Sequence, residues 1–223
     1  MRQCAARNSP KCIVPGLQGH AYVLVSRVDA ARCRLRLLDR VDAFEDVTQT
    51  QHGLAPNSVQ LGTGVLRVSL QALPLNCPVD DAIAHIMGGF GKLDVHQDIR
   101  GGLPALAALA TRLVTLSNGA RAVAQQLLAR ADLSSYFERL LSTEDAGVWK
   151  PAPGAYAYAA TQCTTAPADM MLVTVHPWDI GGADRAGQRT AWINRNGATY
   201  PDHFRAPTLE ASSLLHLAQL LTR

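Results

Sequence analysis

The chain has 223 residues, of which 48% are hydrophobic and 17% are charged. These values are typical of a globular protein with one large domain, or with a main domain and a smaller one. Its 21 basic and 18 acidic residues are interspersed, the formal net charge is +3, and aromatic residues make up only 5%. Because the sequence has neither a basic stripe nor many aromatic side chains, its composition argues against a nucleic-acid partner.

The first part of the chain carries weak structural signals. Residues 21–25 (AYVLV) predict a strand, and residues 48–64 are polar and aperiodic, which predicts a loop or insertion. Residues 66–73 and 79–87 have apolar positions at helical spacing. Residues 31–38 (ARCRLRLL) also fit a short helix with a basic face.

From about residue 98 onward, short apolar runs alternate with helical periods, a pattern typical of a parallel α/β sheet. The run at 170–175 (MMLVTV) is too apolar for an edge strand, and we expect right-handed crossovers between the strands. The predicted strands are residues 112–116, 170–175 and 190–193, and the predicted helices are residues 103–110, 120–131, 156–163, 180–186 and 213–221.

Polar and charged residues follow two of these predicted strands. Ser117 and Asn118 come after the first, and the segment His-Pro-Trp-Asp at 176–179 comes after the second. Lys150 lies between them in sequence. Since ligands of open parallel sheets bind beyond the carboxyl ends of the strands, these residues predict an anion-binding pocket, with Lys150 and helix N-termini supplying positive potential.

Three segments occur in an order that resembles a known family. They are LSNG at 116–119, LLSTEDAGVWKPAPGAYAYA at 140–159 and LVTVHPWDIGGADRAGQRTAWINR at 172–195. They resemble the second, third and fourth motifs of the haloacid dehalogenase superfamily, and specifically of its 2-haloacid dehalogenase branch. The resemblance covers roughly residues 66–223.

The resemblance implies an α/β fold: a Rossmann-like core with a parallel sheet, and a small helical cap. Residues 98–223 would form the core, and residues 1–97 a degenerate N-terminal region together with the cap. Members of the 2-haloacid dehalogenase family usually dimerise through the cap, so the resemblance also implies a homodimer.

The resemblance also implies a reaction. In the family, an Asp at the end of the first strand attacks C2 of a short 2-haloalkanoate and expels halide with inversion, and water then hydrolyses the resulting ester to the 2-hydroxy acid. Carried over to this chain, Lys150 would keep that Asp ionised and in position. Ser117 and Asn118 would bind the substrate carboxylate or the halide, and Asp179 would orient Lys150 and the hydrolytic water.

Further residues would line the substrate-binding part of the site. Tyr156 and Thr174 would be supporting polar groups, and Trp178 would form a wall of the pocket. His176 stands where relatives usually carry a small polar residue such as Asn. The implied catalytic residues are therefore Lys150, Asp179 and Ser117, and the implied substrate-binding residues are Asn118, Tyr156, Thr174, His176, Trp178 and Arg27.

The fourth motif distinguishes dehalogenases from phosphatases in this superfamily. Phosphatases need an acidic residue at the start of this loop to bind Mg²⁺, a hard cation that prefers oxygen ligands. Residues 174–178, which precede Asp179, include no acidic residue. We therefore expect no metal and no other cofactor, and a phosphatase is the less favoured alternative.

The family's first motif, a hydrophobic strand ending in Asp-x-Tyr-Gly-Thr, is not found in the sequence. In one alignment the chain begins after that strand, and Arg27 then matches the family's substrate-binding arginine. In the other, residues 21–25 are a degenerate first strand and Asp29 takes the nucleophile's place. Either the coding start lies elsewhere, or the first sixty or so residues derive from a change of reading frame, or another segment fills the gap.

Two functional hypotheses follow. The first is a metal-independent dehalogenase acting on small halocarboxylic acids. The second is a catalytically inactive relic, or a binding protein, that keeps the anion pocket without the attacking carboxylate. The N-terminal sequence has no apolar signal segment and no run is long enough to span a membrane, so we expect a cytoplasmic protein without a membrane partner.

Overall fold

The computed structural model describes residues 58–90 and 93–222, so residues 21–25, Arg27 and Asp29 lie outside the described residues. The chain forms helices and strands in the following order: α1 Ser58–Leu70, α2 Val79–Phe90, α3 Gln97–Ala107, β1 Val114–Ser117, α4 Arg121–Arg130, β2 Arg139–Ser142, α5 Thr143–Ala146, α6 Pro153–Cys163, β3 Met171–Thr174, α7 Pro177–Arg185, β4 Arg189–Ile193, β5 Leu209–Ala211 and α8 Leu214–Leu221.

All strand pairs among residues 58–90 and 93–222 are parallel, which confirms the predicted α/β class. In the described part of the chain they form two sheets, β1–β2 and β3–β4–β5. Ser117 pairs with Ser142 at the end of the first sheet, and Thr174 with Trp192 in the second. Within each sheet, all carboxyl ends therefore lie at one edge, and the loops that follow β1 and β3 begin there.

One hydrophobic cluster lies within the α/β part of the chain, and a separate one lies between the helices α1 and α2. The main cluster joins α3, β4 and α8 through residues such as Leu103, Ala191 and Leu217. The helices α1 and α2 pack against each other around Leu70 and Ile83. No helix within residues 58–90 and 93–222 is long and apolar enough to cross a bilayer.

Every helix and strand predicted after residue 65 overlaps an observed one, although the bounds differ; the helix predicted at 103–110, for example, is α3, Gln97–Ala107. The predicted loop at 48–64 is wrong from Ser58 onward, because α1 begins there and packs on α2. The short strands β2 and β5 and the one-turn helix α5 were not predicted. The interior position predicted for residues 170–175 stays a prediction, because β3 pairs with β4 among the described residues and residues 1–57 lie outside them.

The helices α3 and α8 approach closely at Gly102. A Cβ atom at this position would lie 2.2 Å from Cβ of Leu214 and 3.0 Å from its carbonyl carbon. The carboxylate of Asp98, one turn earlier in α3, accepts a hydrogen bond from the backbone N–H of Leu214 at 3.0 Å. Glycine at 102 is therefore required by packing, whereas a Cβ at Gly101 would meet no atom within 4 Å.

The two neighbouring glycines provide a matched test of this packing. We expect Gly102→Ala to lower the free energy of unfolding by about 1–3 kcal/mol, because the added methyl must displace α8. Gly101→Ala should instead raise it by up to about 1 kcal/mol, through the higher helix propensity of alanine. Urea denaturation of the full chain measures both, and equal stability of the two variants would contradict this packing.

Candidate active site

Asn118, which follows β1, fixes the backbone of Lys150. Its Nδ2 donates to the carbonyl oxygen of Lys150 at 3.1 Å, and its Oδ1 accepts from the N–H of Lys150 at 2.9 Å. Ser117 closes the turn, because its Oγ accepts a hydrogen bond from the N–H of Gly119 at 2.8 Å. The loop after β1 therefore positions the segment that carries the lysine.

Lys150 and Asp179 form a buried ion pair. The Nζ atom lies 2.7 Å from Oδ2 of Asp179, and the side chains are only 10% and 1% exposed. The hydroxyl of Tyr156, which is fully buried, donates to Oδ1 of the same carboxylate at 2.6 Å. Both carboxylate oxygens thus accept a hydrogen bond, which offsets the cost of removing this charge from water.

The local sequence explains how these three side chains meet. Asp179 lies in the first turn of α7, where the positive end of the helix dipole favours a carboxylate. Pro177 occupies the first position of that helix, where a missing N–H is tolerated. Tyr156 lies on α6, which begins just after Lys150. The carboxylate of Asp179 therefore bonds to side chains from a different part of the chain, in addition to its favourable position at the N-terminus of its own helix.

The environment sets the protonation of two neighbouring groups. Burial, together with the charge of Asp179, raises the pKa of Tyr156, so its hydroxyl stays protonated and acts as a donor. Burial lowers the pKa of His176, the charge of Asp179 opposes this shift and the charge of Lys150 adds to it, and the resulting pKa is about 4. The imidazole is therefore neutral near pH 7, and its ring stacks on Trp178 with centroids 4.9 Å apart.

Ser142, at the end of β2, is a supporting residue that the sequence did not single out. It is fully buried; its Oγ donates to the carbonyl of Gly119 at 3.0 Å and accepts from the N–H of Glu144 at 3.2 Å. It thus links the loop after β1 to the loop after β2. A serine directly after the apolar pair Leu140-Leu141 was the available signal, because it matches the strand-end position of Ser117.

The structure brings together many of the residues predicted for the site. Lys150, Asp179, Tyr156 and Asn118 form one hydrogen-bonded network. Thr174 is the last residue of β3, and its Oγ1 accepts a hydrogen bond from the backbone N–H of His176 at 3.3 Å.

Two observations bear on the other predictions. The amide of Asn118 bonds to the backbone of Lys150, which gives it a positioning contact that the sequence did not indicate. Across residues 58–90 and 93–222, no three His, Cys, Asp or Glu side chains converge as metal ligands.

A buried lysine–carboxylate pair thus lies beyond the carboxyl ends of parallel strands in an α/β core. A model of the family described as haloacid dehalogenase-like hydrolase matches residues 22–187. The chain belongs to this family. The match covers well over half of the sequence and includes the first two segments singled out above and residues 172–187 of the third.

Individual relatives agree with this assignment. (S)-2-Haloacid dehalogenase 1 from Pseudomonas sp. (strain CBS-3) is 29% identical over 79% of this chain and 77% of its own length. (S)-2-Haloacid dehalogenase 2 from the same strain is 29% identical, and the match spans 66% of each protein. A crystal structure of an L-2-haloacid dehalogenase superposes with a TM-score of 0.72 at 25% identity, over 84% of this chain and 82% of that one.

Close contact at Gly182, on α7, allows Tyr156 to reach Asp179. A Cβ atom at this position would lie 2.4 Å from the hydroxyl of Tyr156 and 2.8 Å from Cβ of Pro151. At Gly181 the nearest atom would be 3.4 Å away, at the end of the flexible Arg185 side chain. The two glycines therefore differ in their tolerance of a methyl group.

We expect Gly182→Ala to displace the Tyr156 hydroxyl from Asp179 and to lower the free energy of unfolding by about 1–3 kcal/mol. Gly181→Ala, in the same helix, should leave stability within about 1 kcal/mol of the original chain. Chemical denaturation gives the free energies, and a crystal structure of the Gly182→Ala variant gives the Tyr156–Asp179 distance. An unchanged distance together with unchanged stability would contradict the tight packing described here.

Proposed function

We propose that this protein is a hydrolytic dehalogenase that converts short 2-haloalkanoic acids into 2-hydroxy acids. The observation that carries the proposal is the buried Lys150–Asp179 pair beyond the ends of β1 and β3. Such a pair supplies a fixed cation at the place where ligands of parallel sheets bind. The relatives named as (S)-2-haloacid dehalogenases support this choice of substrate.

The attacking carboxylate is a residue other than Asp179. Both oxygens of Asp179 accept hydrogen bonds and its side chain is 1% exposed, so it is not placed to attack a substrate. The ammonium group of Lys150 has three N–H donors, and Asp179 takes one of them. The other two can bind the nucleophilic carboxylate and keep it ionised.

We assign this nucleophile to the part of the chain before residue 58, where Asp29 is the candidate that follows an apolar run. β1 pairs only with β2, and β3 only with β4, among the described residues. An additional parallel strand against either free edge would end at the carboxyl edge, where Lys150 lies.

The reaction proceeds in two steps. An oxygen of the nucleophilic carboxylate bonds to C2 of the substrate while the carbon–halogen bond breaks and the halide leaves with its electron pair. Water then adds to the carbonyl carbon of the ester, and the 2-hydroxy acid leaves as the enzyme carboxylate is restored. The overall reaction consumes one water and releases one halide and one proton. Ser117 and Arg27 are the proposed contacts for the substrate carboxylate.

The proposal extends to the remaining parts of the molecule. Residues 174–178 supply no acidic ligand, and we propose that the reaction needs no metal. The helices α1 and α2, which have their own hydrophobic cluster, are the proposed cap within residues 1–97, and residues 98–223 the core. Val59 and Val68 of α1 are half-exposed and give this cap an apolar surface for a homodimer.

Halide release by the full chain tests the function. We expect release from 2-chloropropionate and chloroacetate that is unaffected by EDTA, and a loss of about 10²- to 10³-fold in Lys150→Met, because a fixed charge is removed from the reacting groups. Arg67→Met removes a partly exposed cation of α1 and serves as the control with unchanged activity.

Each alternative predicts a different result. Full activity of Lys150→Met would contradict the role of the pair. Absence of halide release, with retained binding of a 2-hydroxy acid, would identify a binding protein that lacks the nucleophile. Mg²⁺-dependent hydrolysis of p-nitrophenyl phosphate would identify a phosphatase.

A further inference from the structure

We propose that His176 is the general base that accepts the proton of the hydrolytic water in the second step. The inference rests on the proposed dehalogenase function and adds a catalytic residue to it. Three features of the site carry it: the hydrogen bonds already made by Asp179, the position of the His176 ring, and the protonation of that ring.

Asp179 is poorly placed to be this base. Its Oδ2 accepts from the ammonium of Lys150 and its Oδ1 from the hydroxyl of Tyr156. Both carboxylate oxygens therefore already accept a hydrogen bond from a side chain of the protein. A 1% exposed side chain also leaves little surface for a water molecule. Asp179 thus orients Lys150, and another group is needed to deprotonate water.

His176 is held at the edge of the same network. Its N–H donates to Thr174 Oγ1 at 3.3 Å and its carbonyl accepts from the N–H of Ile180 at 3.1 Å, so the backbone is fixed at the start of α7. The ring stacks on Trp178 and is close enough for the charges of Lys150 and Asp179 to act on it. Neither ring nitrogen bonds to a residue in the described part of the chain, which leaves one available to water.

The ring also has the protonation state that a base requires. Burial and the nearby ammonium of Lys150 keep the imidazole neutral at neutral pH, so one nitrogen carries a free lone pair. General bases of this kind contribute about 10²- to 10⁴-fold to rate. The asparagine that relatives usually carry at this position has only an amide nitrogen, which cannot accept a proton from water.

The proton transfer balances within the site. As the water oxygen bonds to the ester carbonyl carbon, one water proton moves to the free nitrogen of His176. The tetrahedral intermediate then breaks its bond to the alkyl oxygen, and the leaving 2-hydroxy acid takes the proton from the imidazolium. The carboxylate of Asp179 stabilises that transient cation, and the ring returns to its neutral form for the next turnover.

Rapid-quench halide release and intact-protein mass spectrometry test the proposal. In His176→Asn and His176→Ala we expect a first-turnover burst of halide at close to the original rate, followed by turnover slowed about 10²-fold or more. The covalent ester should accumulate in both variants. Imidazole added to His176→Ala should speed hydrolysis of the ester, which a purely structural role would not produce. His203→Asn, at an exposed position, is the matched control.

The other outcomes are distinct. A His176→Asn variant that turns over at the original rate without accumulating ester would show that His176 is not the base. Slow halide release in the first turnover would assign His176 to the first step and overturn the proposal. If the unaltered chain releases no halide, the proposed function itself fails, and this inference fails with it.

Discussion

The site depends on keeping the carboxylate of Asp179 charged while almost wholly removed from water. Such burial is costly unless both oxygens are paired, and Lys150 and Tyr156 provide the pairing. Other features follow from this requirement. Asn118 fixes the backbone of Lys150, and Gly182 leaves room for the phenol of Tyr156. The network therefore connects the loop after β1, the start of α6 and the start of α7.

Because Asp179 is buried and paired, the charged and polar groups around it have different roles. Asp179 stabilises the ammonium of Lys150, which in our proposal also binds a second carboxylate. Tyr156 remains a donor because burial raises the pKa of its hydroxyl. His176, neutral through its own burial, is the group left with a free lone pair beside the network. Removing water from the site thus sets the role of each group as well as its position.

The sequence predicted the parts of this arrangement that arise from local pattern. Alternating apolar runs and helical periods indicated the parallel sheet. Since parallel strands run in the same direction, Ser117 and the segment that carries Asp179 were both expected at the carboxyl ends of strands. The contacts of Tyr156 with Asp179, and of Asn118 with the backbone of Lys150, depend on tertiary distances that no local pattern encodes. Ser142 was missed for the same reason, because its pairing with Ser117 and its hydrogen bond to Gly119 are also tertiary contacts.

The central claim is that Lys150, fixed by Asp179, activates a different carboxylate that attacks the substrate. A single turnover in ¹⁸O-labelled water, with enzyme in excess over 2-chloropropionate, tests it most directly. The account predicts a product without label, and label incorporated into one carboxylate of a peptide from residues 1–57. Label on Asp179, or label entering the product in that first turnover, would contradict it.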